Sequence, residues 1–278
     1  MSEQARPDLI GAHYGQHEVL AAIRAGLAAI GKADGPLTPD DLAPADQFHT
    51  RGKFATLELA ERAGVSGAAQ ILDLGGGIGG AARLLAARFG CRVEVLDLTE
   101  GYCRAGAYLT ERCGLADLVS FRHGSALEPP YDGESFDLVW TQHSSMNIAD
   151  KERLYAEARR VLRPGGRLAI HEILAGPAGP VHFPVPWASD PAISFLRPPE
   201  AIRALIGAAG FRELIWHDET AEATRWFEER VPAAASPSPA PFGLHLLLGQ
   251  GAPAMFRNLL RNLQEGRVVV VQAVFERV

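Results

Sequence analysis

The stretch Ile71-Leu72-Asp73-Leu74-Gly75-Gly76-Gly77-Ile78-Gly79-Gly80 decides the fold. A short apolar run turns directly into a glycine-rich segment, as happens where a buried parallel strand meets a helix. Glycine allows the backbone to take positive φ values and to approach a ligand closely. The free N–H groups at the start of the following helix can also contact a polar ligand. The stretch therefore predicts a strand, a ligand-binding turn and a helix.

An acidic residue, Asp97, follows one predicted helix later in the stretch Val95-Leu96-Asp97-Leu98. A carboxylate at the end of the second strand can accept hydrogen bonds from both hydroxyls of a ribose. Taken with the glycine-rich turn, Asp97 predicts a ligand that contains a nucleoside. Gly75, Gly77 and Gly80 also match the GxGxxG pattern, so an NAD-dependent oxidoreductase is an alternative.

Several further stretches resemble the class I S-adenosylmethionine-dependent methyltransferases, in particular their type 11 branch, which acts largely on small molecules. The matching stretches in the core are residues 73–80, Asp97, residues 137–143 and the RVLRPGG segment at 160–166. The flanks, at 46–49, 51–52 and 183–187, resemble sarcosine/dimethylglycine-type N-methyltransferases and natural-product methyltransferases. The resemblance implies S-adenosyl-L-methionine as cofactor and methyl transfer to a small molecule. An amine nitrogen is the preferred acceptor, with O- or C-methylation as alternatives. The remote alternatives are the oxidoreductase and a non-catalytic S-adenosylmethionine-binding protein.

Short apolar strands alternate with helices, which predicts an α/β fold with helices on both faces of a parallel sheet. The predicted strands are 70–74, 92–96, 119–123, 136–141, 167–174, 213–217 and 268–275. The resemblance implies a doubly wound, seven-stranded, Rossmann-like sheet of order 3-2-1-4-5-7-6 with an antiparallel seventh strand. We expect a helical lid over residues 1–65 and a core over 66–278. Further lid segments are expected at about 176–198 and 221–266, and the proline-rich stretch 231–243 reads as a loop.

The resemblance also assigns the cofactor-binding residues. They are Asp73, Gly75, Gly77, Gly79, Asp97, Leu98, Ser125, Ala126, Gln142 and His143. One position departs from the family pattern, which has an aspartate after the third strand to receive the adenine amino group. Ser125 stands there and can accept a hydrogen bond without the assistance of a charge.

Methyl transfer from a sulfonium donor depends mainly on positioning the acceptor and excluding water. His143 follows the fourth strand at the edge of the sheet where such folds bind ligands. We expect His143 and His49 to be the catalytic residues, with His143 positioning the acceptor or, alternatively, acting as a base. Acceptor contacts are expected from Tyr14, His49, Met146 and Trp187.

Composition limits the class of partner. The formal net charge is −6 and no lysine/arginine block is visible, which argues against a nucleic-acid surface. No apolar run reaches the length of a membrane span, and the first residues lack the pattern of a secretory signal. Three cysteines without a CxxC pair favour a reducing compartment, and we expect a cytoplasmic protein. No HxH or CxxC pair occurs and no metal is expected, and a homodimer is one open assembly.

Overall fold

The computed structural model describes residues 18–234 and 240–278, and for 232–234 it describes the backbone only. Seven strands form one sheet in the order β3-β2-β1-β4-β5-β7-β6. Neighbours from β3 to β5 are parallel, whereas β7 runs antiparallel to β5 and β6. The strands are β1 Gln70–Leu74, β2 Arg92–Asp97, β3 Val119–His123, β4 Phe136–Gln142, β5 Leu162–Ala175, β6 Phe211–Asp218 and β7 Val268–Arg277. The predicted fold class and strand order are confirmed.

Helices lie before, between and after the strands. Those before and within the first half of the sheet are α1 Val19–Ala29, α2 Pro39–Asp46, α3 Lys53–Ala63, α4 Gly80–Phe89, α5 Glu100–Arg112 and α6 Lys151–Val161. The later ones are α7 Pro199–Ala208, α8 Thr220–Ala234, α9 His245–Leu248 and α10 Ala252–Gln264. In the described part of the chain, none of the helices has the length and apolarity that a bilayer crossing needs.

Two predicted bounds differ most from the structure, and the remaining strand ends agree to within two residues. β5 begins at Leu162 rather than at residue 167, because the chain already pairs with β4 there, before a register shift that precedes the Leu138–Arg167 pair. Gly165, at φ +73°, provides the turn within this stretch. The segment 231–243 was predicted as a loop, yet α8 continues into it as far as Ala234. Residues 235–239 lie outside the described part of the chain.

Both faces of the central parallel strands β1 and β4 are buried, as strands covered by helices on both sides require. Leu72 and Leu74 of β1 pack in one apolar cluster with α6 and α7, while Ile71 packs in another with α3 and α4. This alternation follows from the two-residue period of a strand. It leaves the carboxyl ends of the strands as the edge at which a ligand can bind.

The N-terminal helices are held against the helix that follows the glycine loop. Thr38 and Asp41 form a capping box that starts α2. At the other end of α2, the carboxylate of Asp46 forms a buried ion pair with Arg83 of α4 at 2.9 Å. α1 buries Ile23 and Leu27 in a third apolar cluster shared with α5 and α9. These contacts place the N-terminal helices beside the glycine loop.

Candidate active site

A cavity of about 610 Å³ opens at the carboxyl ends of β1, β2 and β4, and we call it the large cavity. It lies at the sheet edge where doubly wound folds bind ligands. Its lining consists of Phe48, Gly75, Gly77, Leu96, Asp97, Leu98, Thr99, Tyr102, Gly124, Ser125, Ala126, Leu127, His143, Ser144, Asn147, Ile148, Ala149, Asp150 and Phe195.

The glycine loop forms one wall of the large cavity. Gly77 has φ +59°, in the left-handed region that residues with a side chain rarely adopt. A side chain at this position would project into open space, where the nearest atom is a ring carbon of Tyr102 at 3.9 Å. Gly79 does not line the cavity, and a β-carbon there would lie 2.5 Å from the Phe121 ring. Packing therefore accounts for Gly79, whereas Gly77 leaves room for a ligand.

Asp97 stands at the end of β2 with its carboxylate turned to the loop. It accepts hydrogen bonds from the backbone N–H groups of Gly77 and Thr99, both at 2.8 Å. The residue is only 8% exposed, and this burial raises the pKa of its carboxyl group. Asp97 thus braces the glycine loop and also lines the large cavity.

Asp73 lies behind the same loop and is 1% exposed. Neither of its carboxyl oxygens has a hydrogen-bond partner among the described residues. Burial, followed by the nearby charge of Asp97, raises the pKa of Asp73 to about 7. Two buried carboxyl groups side by side make this end of the cavity favourable for a cation.

The opposite wall contains Leu98, Ser125 and Ala126, as the sequence predicted for the cofactor site. The Ser125 hydroxyl accepts the Leu127 N–H at 3.1 Å, which uses one of its two lone pairs. Asp150 also lines this cavity but was missed by sequence reasoning. Its only local signal is its place as the N-cap of α6, where it accepts the Arg153 N–H at 2.8 Å.

A second, smaller cavity of about 40 Å³ adjoins the first, and we call it the aromatic cavity. It is lined by Phe48, His49, Thr50, His143, Met146, Ile173, Pro186, Trp187, Trp226, Phe227, Leu244, Phe256 and Leu259. Phe48 and His143 line both cavities. Among the described lining residues there is no aspartate, glutamate, lysine or arginine, so the walls are apolar apart from the imidazole and hydroxyl groups.

Three of the four predicted acceptor contacts lie in the aromatic cavity: His49, Met146 and Trp187. The Trp187 indole donates to the Ser194 hydroxyl at 2.9 Å, which fixes the ring in the wall. Tyr14 lies outside the described residues. Gln142, predicted to bind the cofactor, lines neither cavity and is hydrogen-bonded to neighbouring side chains. The aromatic walls contributed by residues 226–259 were not foreseen, although they fall in the predicted lid segment 221–266.

Three imidazoles meet where the two cavities join. The ring centroids of His143 and His171 are 4.5 Å apart, and that of His49 lies 6.2 Å from His143 and 5.9 Å from His171. Burial lowers the pKa of His49 to about 3 and that of His143 well below its usual value, so both rings are neutral at neutral pH.

His143 also has φ +54°, a conformation that costs energy for a residue with a side chain. Strain of this kind is common at functional sites, where it holds a side chain in a required position. Within the described ranges, no set of three histidine, cysteine or acidic side chains is arranged to hold a metal ion.

The sequence did not predict that Thr50, His171 and Glu219 would contact this group. Thr50 lies between His143 and His171, and His171 pairs with the buried carboxylate of Glu219. Burial alone would raise the pKa of Glu219, but His171 and Arg51 outweigh it and lower that pKa. Glu172, the neighbour of His171, turns to the other side of β5 and accepts the Thr141 hydroxyl and the Ser145 N–H.

Comparison with known proteins places this geometry among methyltransferases. A family profile described as "Methyltransferase domain" matches residues 72–170. The chain is 35% identical over 132 residues to the glycine/sarcosine/dimethylglycine N-methyltransferase of Actinopolyspora halophila, covering 48% of this chain and 23% of that protein. It is 31% identical over 157 residues to the sarcosine/dimethylglycine N-methyltransferase of Halorhodospira halochloris, covering 56% of each.

The methyltransferase GfsG of Streptomyces halstedii is 34% identical over 166 residues, covering 59% of this chain and 58% of GfsG. The chain thus spans between about a quarter and three-fifths of the length of these curated relatives. Other relatives carry the names of O- and C-methyltransferases.

Solved structures agree on the fold. Geranyl diphosphate methyltransferase in complex with S-adenosylmethionine superposes with a TM-score of 0.66 at 23% identity, covering 81% of this chain and 85% of that one. The [4+2]-cyclase SpnF superposes with a TM-score of 0.70 at 19% identity, covering 95% of each chain. At such identities the likeness concerns the fold alone. The matched domain and the named relatives confirm the predicted resemblance to S-adenosylmethionine-dependent methyltransferases.

Proposed function

We propose that this chain transfers a methyl group from S-adenosyl-L-methionine to a hydroxyl oxygen of an uncharged, largely apolar small molecule. The observation that carries the proposal is the junction at His143, where the large cavity meets an aromatic cavity without a charged side chain among its described lining residues.

The large cavity fits the cofactor in three respects. Gly77 leaves space for a ligand, Gly75 lines the same cavity, and Asp97 offers a carboxylate to a ribose. A cationic ligand would favour the ionised form of the buried carboxyl groups of Asp73 and Asp97, which suits a ligand that carries a sulfonium and an ammonium group. Leu98, Ser125 and Ala126 would contact the adenine. When bound, the cofactor supplies an activated methyl group on sulfur.

The aromatic cavity selects the acceptor by the cost of burying charge. An ionised group placed among aromatic and aliphatic side chains loses its hydration and finds no opposite charge in the described lining. A neutral acceptor avoids this cost. The cavity holds only a few water-sized groups, so the reacting end of the acceptor would occupy it while the remainder extends into the large cavity.

A hydroxyl acceptor must lose its proton when the methyl group arrives. His49 and His143 border the aromatic cavity as neutral imidazoles, and a neutral imidazole can accept that proton. A methylated hydroxyl is a far stronger acid than an imidazolium, so even a weakly basic ring suffices. An amine needs no base at this step, because its nitrogen keeps its protons after methylation.

An amine acceptor is the second candidate, as the flanks of the sequence favoured. The two sarcosine-type relatives support it, and Trp187 and Trp226 could hold a cationic amine by cation–π contact. We prefer the hydroxyl because the described lining of the aromatic cavity has no carboxylate to pair with the ammonium group of an amino acid. It also has no basic residue to pair with the carboxylate of an amino acid.

The helices before residue 65 and the segments at 176–198 and 221–266 would form the lid that excludes water. In this role the lid supplies Phe48, His49 and Trp187 to the acceptor site. Dimerisation and cytoplasmic location remain predictions from the sequence.

The test offers methyl-labelled S-adenosylmethionine with matched acceptors that share one apolar ring system and carry a hydroxyl, an amine or a carboxylate. Sarcosine serves as the small zwitterionic comparison, and the Asp97→Ala variant serves as the control for cofactor-dependent labelling. We expect label on the hydroxyl compounds, identified as methyl ethers by mass spectrometry. Comparable turnover of sarcosine would contradict the proposal and favour the amine reading.

A further inference from the structure

The side chains behind the two cavities form a hydrogen-bond chain whose direction is fixed at one end by an indole. The Trp140 Nε1–H can only donate, and it lies 3.2 Å from Gln142 Oε1. This contact fixes the orientation of the Gln142 side-chain amide. Its oxygen faces Trp140, and its nitrogen faces His171 Nδ1 at 2.9 Å. Because an amide nitrogen donates, His171 Nδ1 is the acceptor and carries no proton in the neutral ring.

The proton of neutral His171 is consequently on Nε2. This nitrogen lies beside the Glu219 carboxylate and 3.0 Å from the Thr50 hydroxyl oxygen. Arg51, at 2.6 Å, holds Glu219 as a carboxylate, and the Glu219 oxygen nearest His171 has no hydrogen-bond partner among the described residues, so the single Nε2–H is directed to Thr50. Thr50 accepts from His171, and its own proton is then directed to His143 Nε2 at 3.3 Å. Neutral His143 must hold its proton on Nδ1.

His49 is oriented the other way. Its Nε2 lies 3.0 Å from the backbone carbonyl of Gly52, which can only accept, so Nε2 carries the proton. The same nitrogen contacts the Thr56 hydroxyl at 2.9 Å, and Thr56 donates in turn to Gln142 Oε1 at 3.2 Å. His49 Nδ1 has a free lone pair with no partner among the described residues.

From this hydrogen-bond chain we infer that the two histidines bordering the aromatic cavity have opposite roles. His49 Nδ1 takes the proton of the hydroxyl that is methylated, whereas His143 donates a hydrogen bond from Nδ1 to the oxygen of that hydroxyl. The inference rests on the proposed function. Thr50, Gln142 and His171 are positioning residues that act through His143.

The arrangement satisfies a hydroxyl completely. One lone pair of its oxygen accepts the His143 Nδ1–H, and its proton points to His49 Nδ1. The second lone pair forms the bond to the methyl carbon while the sulfur–carbon bond breaks and its electron pair stays on sulfur. The O–H bond breaks as well, and its proton becomes the second proton of the His49 ring, which later releases it to solvent. The products are a methyl ether and the neutral thioether of the donor.

A neutral amine is served less well by the same pair. Its nitrogen has a single lone pair, and accepting the His143 Nδ1–H would occupy the pair needed for attack. The tautomer of His143 therefore makes it a specificity-determining residue that favours oxygen over nitrogen. The ring centroids of His49 and His143, 6.2 Å apart, allow both rings to reach one small group between them.

The test reads the tautomers directly in the folded protein without an acceptor. Long-range ¹H–¹⁵N correlation spectra at neutral pH distinguish Nδ1–H from Nε2–H for each ring, and single His→Gln variants assign the signals. We expect Nε2–H for His49 and His171 and Nδ1–H for His143. An Nε2–H signal for His143, or an Nδ1–H signal for His49, would overturn the assignment.

Thr50 provides the matched pair of variants. Thr50→Val removes the hydroxyl at nearly constant volume and should release His143 into a mixture of tautomers, while His49 keeps its signal as an internal control. Thr50→Ser retains the hydroxyl and should keep the wild-type pattern, and it serves as the folded reference if the valine variant is unstable. An unchanged His143 signal in a folded Thr50→Val protein would refute the role of Thr50.

Kinetics with a hydroxyl acceptor then separate this inference from the proposed function. His49→Ala should lower kcat by about 10²- to 10⁴-fold, the range for a lost base. Thr50→Val should narrow the preference for the hydroxyl over the matched amine, which a merely structural role would not do. Expected tautomers combined with turnover of amines alone would refute the proposed function. Hydroxyl turnover with the opposite tautomers would refute only the inference.

Discussion

Asp73 should make the protein less stable as the pH rises, and Asp73→Asn should remove that loss. The carboxyl group is 1% exposed, and its two oxygens lack hydrogen-bond partners among the described residues. Its pKa is raised from 3.8 to about 7 by burial and by Asp97. Between these two values the folded protein keeps a proton that the unfolded chain has lost, so stability falls with rising pH.

The magnitude follows from the size of the shift. Each pKa unit corresponds to about 1.4 kcal/mol, so a carboxyl group shifted from 3.8 to about 7 costs about 4 kcal/mol of folding free energy above pH 7. Below about pH 4 the carboxyl group is protonated in both the folded and the unfolded protein, so it costs no stability. The cost then grows as the pH rises to about 7. His49 and His143 act in the opposite sense, because rings with lowered pKa values stabilise the fold above their unfolded pKa and lose that effect as the pH falls.

The variant and the wild type share His49 and His143, so the contributions of these histidines cancel in the difference between the two free energies of unfolding. Urea unfolding followed by circular dichroism at a series of pH values gives the free energy of unfolding of each protein. The advantage of Asp73→Asn should grow by about 1.4 kcal/mol per pH unit across the window and then level off. Asp132→Asn, at an exposed loop position, is the matched control and should show no such trend. Parallel curves for Asp73→Asn and wild type would refute the reasoning.

Three further changes test the cofactor site and its support. Asp97→Asn should raise the dissociation constant for S-adenosylmethionine by about 10- to 100-fold in calorimetry, since a charged acceptor is lost; an unchanged constant would place the cofactor elsewhere. Gly77→Val should fold, by circular dichroism, yet fail to bind, because its side chain would enter the cavity at a positive φ. Arg83→Met should cost about 3–5 kcal/mol by leaving Asp46 as an unpaired buried charge, and adding Asp46→Leu should recover part of that loss.

The features that could be predicted from the sequence are those that depend on residues close together along the chain. Gly75, Gly77 and Asp97, which the sequence predicted as cofactor contacts, all line the large cavity, because a strand end and its following loop are local structures. Strand order came from the family resemblance rather than from the pattern of the strands. Local patterning also located every strand, and its main error was the start of β5, where pairing with β4 extends the strand past a turn.

The histidine chain could not be predicted in this way. Thr50, His171 and Glu219 come from three distant parts of the chain, and only the tertiary fold brings them together. His171 and Glu172 point to opposite faces of β5 and both are buried, so the alternation of a strand does not reveal which one reaches the site. Trp226 and Phe256 likewise join the aromatic cavity through helix packing that no local motif records.

The pH dependence of kcat/KM tests the central claim most directly, with the best acceptor from the matched set at saturating S-adenosylmethionine. His49 has a pKa of about 3, so its ring stays unprotonated and ready to accept a proton across the neutral range. For a hydroxyl acceptor we therefore predict a level profile between about pH 6 and about pH 8. An amine with a pKa near about 10 would give a tenfold rise per pH unit over the same range, because only its unprotonated fraction can attack. A level profile accompanied by a methyl ether product supports the account, and a tenfold slope with an N-methylated product contradicts it.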